Sequence, residues 1–292
     1  MEILEPRHWA EWDAFLATIP EGRLRQTSHY AAGLDLYGWK PSILALRDTG
    51  VPGSPIVAGG LLGEKPLPLV GGNRLQISGG LAVAPSATRE QVDAFLRGLE
   101  AHARTRRAAW VQLEWRRPVS VGGVESKEGL ADAEILDRAG YRRDNSPGTY
   151  FISLQGKDPD SLLASLGRQA RQNIRHARRD GIEVTEESTA AGVETFRDFH
   201  RGMSTRKGLG SWPEGFEQRV LLAAIQRGRA SLLAARHEGR VINMILVSRV
   251  GAPLYEWGAI APRVETTGVP PTGEYLHYEA MRLALGGPHR FY

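Results

Sequence analysis

The stretch RQARQNIRHARRDGIEV (168–184) sets Arg168, Arg171, Arg175, Arg178 and Arg179 beside His176 within one dozen residues. A guanidinium is a planar fork that binds phosphate or carboxylate bidentately, so a row of them can hold a polyanion. Helical geometry, at about 100° per residue, puts Leu163, Leu166, Ala170, Ile174 and Ala177 on one face. Arg168, Arg171, Arg175 and Arg179 fall on a second stripe. Gly181 stands where a left-handed C-cap belongs, and basic residues near the C-terminal end suit the helix dipole. The spacing predicts an amphipathic surface helix with a cationic stripe. Two readings stay open: arginines that solvate the helix and pair with nearby carboxylates, or arginines that meet phosphates of RNA or of a nucleotide-linked substrate. No helix-turn-helix or zinc-finger pattern surrounds the stretch, so sequence-specific DNA reading is not expected.

Other chemistry is narrowed by what the chain lacks. There is no cysteine, which excludes disulfides, thiolate nucleophiles and cysteine-ligated metal. The histidines, among them His200 and His277, are scattered, and no His-x-x-x-His or His-Glu pair offers metal-ligand spacing, so no zinc site is expected. No G-x-S-x-G elbow is present. GGLLGE and VGGNR carry glycines but neither a phosphate loop nor a dinucleotide fingerprint, and both read as hairpin turns. In GVPPTGEYLHYEA, Thr272 precedes a helix whose N-terminus could hold an anion, with a plain helix cap as the simpler reading. Arg206 and Lys207 end another helical run, where they would at least favour the dipole. Tyr255 and Trp257 alternate along a strand and so share one face, as channel lining or as ordinary core, while Glu256 faces the other way.

These residues need elements to hold them. The chain has 292 residues, 41% hydrophobic and 24% charged, the balance of a soluble globular protein of one or two domains. Net charge is only +4, and lysine occurs only at Lys40, Lys65, Lys127, Lys157 and Lys207, so the distribution of arginine matters more than the total. The N-terminus lacks the apolar core of a signal peptide, and no run approaches the roughly 20 apolar residues of a membrane span. A cytoplasmic protein is expected.

Along the chain, HWAEWDAFLAT reads as a helix, with Trp9, Trp12, Phe15 and Leu16 on one face. SILALRD and PIVAGGLLG read as a hairpin, NRLQISGGLAVAP as a strand, and TREQVDAFLRGLEAHARTR as a helix capped by Thr88. AAWVQLEW follows as a buried strand, then the short helix ADAEILDRAG and the strand TYFISL. The second half repeats the order: helices near 158–180, 190–207 and 214–227, a hairpin turning at Glu238-Gly239, a strand PLYEWGAIAP, a helix TGEYLHYEAMRLAL and a strand start HRFY. An offset of about 180 residues indicates duplication of a whole α/β domain, not a solenoid. Two similar α/β domains, 1–147 and 148–292, are expected.

The order from TYFISL through RQARQNIRHARRDGIEV, FRDFHRGMSTRKGL, LLAARHEGRVINMILV and LYEWGAIAP resembles the second domain of the Fem family of non-ribosomal peptidyltransferases. QTSHYAAGLDLYGWKP and RAAWVQLEW are similar to the start and central strand of that family's first domain. The resemblance covers nearly the whole chain and implies two tandem acetyltransferase-like (GNAT-like) domains. Each would be a mixed, largely antiparallel sheet flanked by helices, an α/β (α+β) fold.

The implied activity is transfer of an amino acid from aminoacyl-tRNA to an amine of a nucleotide- or lipid-linked peptidoglycan precursor, with no resident cofactor. An acyl-CoA-dependent N-acyltransferase of the same fold and a catalytically inactive binding module are the alternatives. Direct attack of an amine on an activated acyl group needs orientation and oxyanion stabilisation but no protein nucleophile. By the resemblance Arg206, with Lys207 beside it, contacts precursor phosphates, and Tyr255 and Trp257 line the substrate channel. Arg171 and Arg175 match a basic helix that holds tRNA or precursor phosphates, or serves structure alone. No catalytic residue is assigned. Two departures stand out: Leu34 occupies the place of a phosphate-binding lysine, and after HRFY the family's Tyr-Asp-x-Gly-Gly and Phe-Lys-x-x-Phe continuation has no match. Either a second domain cut short at its end or a differently built active site is expected.

Overall fold

In the computed structural model the chain divides into two units, Met1–Tyr150 and Phe151–Tyr292. The residues described are 1–68, 71–114, 120–121, 124–143, 151–251, 255–260, 272–290 and 292. Each unit has its own sheet and its own core.

The first unit runs β1 (Glu2–Leu4), α1 (Trp9–Thr18), α2 (Ser28–Leu36), β2 (Lys40–Arg47), β3 (Ile56–Pro66), β4 (Asn73–Val83), α3 (Arg89–Thr105) and β5 (Ala108–Leu113). A two-stranded ribbon, β6 (Ser120–Val121) and β7 (Val124–Glu125), and α4 (Lys127–Arg138) complete it. The sheet order is β1-β2-β3-β4-β5, antiparallel until β4 and β5, which run parallel. Parallel neighbours need a crossover, and α3 provides it. Its start is a capping box: the Thr88 hydroxyl accepts from the Gln91 N–H (3.3 Å), and the Gln91 amide oxygen accepts from the Thr88 N–H (2.8 Å). Val92, Phe95, Leu96 and Leu99 then recur at helical spacing and bury against Leu75 and Ile77 of the sheet. On the other face, Trp12 and Leu16 of α1 pack on Ile43, Ala45 and Leu61.

Two sequence expectations change here. GGLLGE lies inside β3 and is no turn. Its glycines admit close neighbours: a Cβ on Gly59 would sit 2.5 Å from the Trp12 ring, and one on Gly60 2.7 Å from Ile77. AAWVQLEW was expected to be buried, yet β5 ends the described sheet order and only one of its faces meets α3. Trp110 is accordingly 45% exposed.

The second unit runs α5 (Pro159–Ser165), α6 (Arg168–Arg179), β8 (Glu183–Glu187), α7 (Ala190–Lys207), a π-helical turn Glu217–Leu222 leading into α8 (Ala223–Gln226), β9 (Ala230–His237), β10 (Arg240–Ser248), β11 (Tyr255–Ile260) and α9 (Gly273–Ala284). The sheet order is β11-β10-β9-β8, with all described ladders antiparallel. The β9–β10 turn places Glu238 (φ 49°) and Gly239 (φ 77°) both in the left-handed region, as a two-residue type I′ hairpin demands. Leu233, Ala235, Ile245 and Val247 bury against α5, α6 and α9. The alternate residues Leu232, Ala234, Met244 and Leu246 are buried too, while α8 lies against β9 and α7 against β11. The segment around Ile152 pairs with the far end of the unit: Ile152 and Tyr292 exchange N–H···O bonds of 2.7 and 2.9 Å, and the Leu154 N–H donates to the Arg290 carbonyl (2.9 Å). TYFISL and HRFY are thus partners as far as they are described. No described helix is long and apolar enough to cross a membrane.

The expected single helix over 158–180 is two helices. Leu166 and Gly167 are extended (ψ 156° and 153°), which ends α5 and starts α6. Leu163 and Leu166 therefore do not continue the apolar face of α6, which rests on Ile174 and Ala177, both fully buried.

Candidate functional site

The break at Gly167 decides what the arginine stretch does. Arg171 reaches back, and its guanidinium donates to the carbonyls of Leu166 (2.5 Å) and Ala164 (3.2 Å). It satisfies acceptors left open at the end of α5, a structural duty. Arg178 turns toward α9, lies over Tyr278 (5.0 Å) and Tyr275 (5.5 Å), and ion-pairs with Glu279 at 3.2 Å. Arg179 pairs with its neighbour Asp180. Arg168 and Arg175 are exposed and form no ion pair with any described residue. Of the predicted phosphate-binding pair, Arg175 is available to a ligand and Arg171 is largely committed to its own chain.

Arg206 and Lys207 form the last turn of α7, both exposed. Thr189 caps the start by accepting from the Gly192 N–H (3.1 Å). Gly208, in the left-handed conformation (φ 64°), ends the helix, and the Leu209 N–H bonds to the Ser204 carbonyl at 2.9 Å. Tyr255 and Trp257 lie on β11, against which α7 packs, so two of the three predicted groups sit on neighbouring elements. Their side chains lie outside the described residues. Arg171 and Arg175, on α6, belong to the layer of α5 and α9 instead. The six residues are therefore distributed over three elements of the second unit, α6, α7 and β11.

An aromatic group on α7 was not foreseen. His200 stacks on Trp212 (3.7 Å between ring centroids, 13° between planes), and Phe196 and Phe216 flank the indole at 5.8 and 5.6 Å. Burial pushes the His200 imidazole below its ordinary pKa of 6.5, so it is neutral at pH 7. Three residues earlier on α7, Arg197 donates to the buried Glu217 (3.1 Å), which opens the π-helical turn. The available signal was the four-residue spacing of Phe196 with His200 and of Trp212 with Phe216. The α9 N-terminus also differs from expectation. The Thr272 hydroxyl caps no helix N–H; it accepts from the Asn243 amide at 3.0 Å, and Glu274 in the first turn accepts from Asn173. No group of metal-ligating side chains occurs among the described residues.

Residues 164–292 match the acetyltransferase (GNAT) domain family. No curated protein sequence matches the chain. Among solved structures, FemX is similar over 100% of this chain and 88% of its own, with TM-score 0.77 and 17% identity. L-PGS from Bacillus licheniformis (TM-score 0.57, 14% identity) matches over 99% of this chain and 78% of its own. A tandem GNAT protein from the clavulanic acid biosynthesis pathway (TM-score 0.52, 15% identity) covers 99% of this chain and 87% of its own. At such identities the likeness is one of fold. The chain has the α/β fold of FemX and of tandem GNAT proteins, and its residues 164–292 are similar to the acetyltransferase (GNAT) domain.

Proposed function

We propose that the protein is an acyltransferase that moves an amino acid from aminoacyl-tRNA to an amine of a peptidoglycan precursor. The observation that carries this reading is the correspondence with FemX along the entire chain, both units included. The chemistry asks little of side-chain nucleophiles. A neutral amine attacks the ester carbonyl, the tetrahedral oxyanion collapses, and the ribose hydroxyl leaves with the proton that the amine gives up. The protein has to orient two anionic substrates and stabilise the oxyanion. In this reading Arg206 and Lys207 meet precursor phosphates at the exposed end of α7, Tyr255 and Trp257 line the acceptor path, and Arg175 meets phosphates of the donor. The cytoplasm, where both substrates are made, is the compartment this implies.

A second reading, acyl-CoA-dependent N-acylation of another polar substrate, has support in the acetyltransferase (GNAT) match over residues 164–292. The two separate by donor. The protein is incubated with an amine acceptor and either radiolabelled aminoacyl-tRNA or radiolabelled acyl-CoA, and label in the acceptor is measured. Transfer from aminoacyl-tRNA alone supports the first reading, and transfer from acyl-CoA alone the second. No transfer from either donor rejects both and leaves a binding module.

A further inference from the structure

We propose that the ring of Trp110, in the first unit, is a stacking site for the planar base of a nucleotide. In the parallel β4–β5 ladder Arg74 stands opposite Trp110, and Gln76 opposite Gln112. Their sequence neighbours Leu75, Ile77, Val111 and Leu113 pack into the α3 core, so these four side chains occupy the other face of the sheet. The cover that α1 and α2 give that face centres on β2 and β3.

On this strip the charges and rings alternate. The Lys65 ammonium lies 5.7 Å from the centroid of Trp39, and the Arg74 guanidinium 5.4 Å from Trp39 and 5.7 Å from Trp110. The order is Lys65, Trp39, Arg74, Trp110. Arg74 is held in place by the Gln112 amide oxygen (2.6 Å), and Lys65 by the Tyr37 carbonyl (3.1 Å). Glu64, next to Lys65, is spent on Arg106, which donates to it at 2.8 Å. The stack thus ends in an indole that is 45% exposed, on the last strand of the described sheet order.

Packing accounts for Trp39 and Arg74 but not for a large exposed ring at the end of the row. The physics of the row says what would cover it. A guanidinium over one face draws on the ring's π density, and Lys65 adds a second positive charge, so a cation is the wrong next partner. A planar π system attached to an anion is the right one: the base stacks on Trp110, and its phosphate is attracted by Arg74 and Lys65. The Gln112 amide N–H₂, which makes no hydrogen bond to a described residue, lies one rung along for a base edge. Nucleotides with this chemistry come as the unpaired end of an RNA strand or as a nucleotide-linked small molecule. The inference rests on the acyl-transfer reading for the kind of nucleotide and on the first unit for the site, and Trp110→Ala, which reports on the ring alone, separates its failure from that of the reading.

Titration calorimetry with the trinucleotide CCA, uridine 5′-diphosphate and ribose 5-phosphate tests it. At least one of the first two should bind at least about tenfold more tightly than ribose 5-phosphate, the scale of one base–aromatic stack. Trp110→Ala should lose about that factor with an unchanged circular dichroism spectrum, and Trp110→Phe should recover most of it. Preference for CCA assigns the site to an RNA end, and preference for the diphosphate to a nucleotide-linked molecule. The proposal is overturned if neither nucleotide binds, if ribose 5-phosphate binds equally well, or if Trp110→Ala binds as the native protein does.

Discussion

His200 lies flat against Trp212, with ring centroids 3.7 Å apart, and both rings belong to the cluster that joins α7 to the π-helical turn. The imidazole is neutral there because burial disfavours its charged form. In the unfolded chain it titrates at its ordinary value, about 6.5. The unfolded state therefore binds the proton first as pH falls, and native stability drops from about pH 6.5 down to the lowered native value. His102 in the first unit is lowered too, chiefly by burial and then by Arg106, and acts in the same direction. Urea melts at pH 7.5 and 5.5 should show lower stability at the acid pH, and His200→Gln should shrink that difference. An unchanged difference would mean His200 is not the group responsible.

Gly59 should not tolerate a side chain. A Cβ there meets the Trp12 ring at 2.5 Å and the Leu44 carbonyl at 2.6 Å, neither of which can retreat easily. Gly59→Ala should destabilise the first unit by about 1–3 kcal/mol. Gly167→Ala, with nothing within 4 Å and no left-handed φ, should stay within about 0.5 kcal/mol of the parent. Chemical denaturation of the two variants gives the comparison.

The arginines of α6 should separate by duty. Arg171→Ala removes the donor to Ala164 and Leu166 and should cost about 1–2 kcal/mol. Arg175→Ala should leave thermal stability nearly unchanged. If the exposed stripe binds RNA, Arg175→Ala should also reduce the slope of log affinity against log salt by about 0.7–0.9. A salt-independent affinity in the parent protein would remove RNA phosphates from this helix.

Arg206→Ala tests the end of α7. Loss of one cation near the carbonyl end should cost no more than about 1 kcal/mol of stability. Binding of a nucleotide-linked muropeptide precursor should weaken about tenfold or more, since a bidentate guanidinium–phosphate contact is charge-assisted. Equal binding by parent and variant, measured by calorimetry, takes Arg206 out of the site.

What could be read in advance follows a physical pattern. α3 was legible because Thr88, Gln91 and the apolar spacing of Val92, Phe95 and Leu99 all act locally. The Glu238-Gly239 turn was legible because few residue pairs adopt two consecutive left-handed conformations. The break at Gly167 was not, since glycine also occurs within helices and the compensating Arg171 contacts exist only once the break is made. β5 looked buried because an apolar run does not say how many of its faces will be covered. The His200–Trp212 pair joins a helix to a loop twelve residues on, a contact that periodicity does not encode. Arg206 and Lys207 were read correctly as helix-terminal, whereas the distribution of the arginine stripe between structural and exposed roles required coordinates.

The pairing of Ile152 and Leu154 with Tyr292 and Arg290 has a kinetic consequence. The first residues of the second unit find their partners only after about 140 further residues have emerged, so this ladder is among the last of that unit's described contacts to become possible. The first unit closes its own sheet without them and can fold while the second is still being made. Until then Ile152 and Leu154 present an unsatisfied edge, and the interval before closure is when this protein is most exposed to mispairing with another nascent chain.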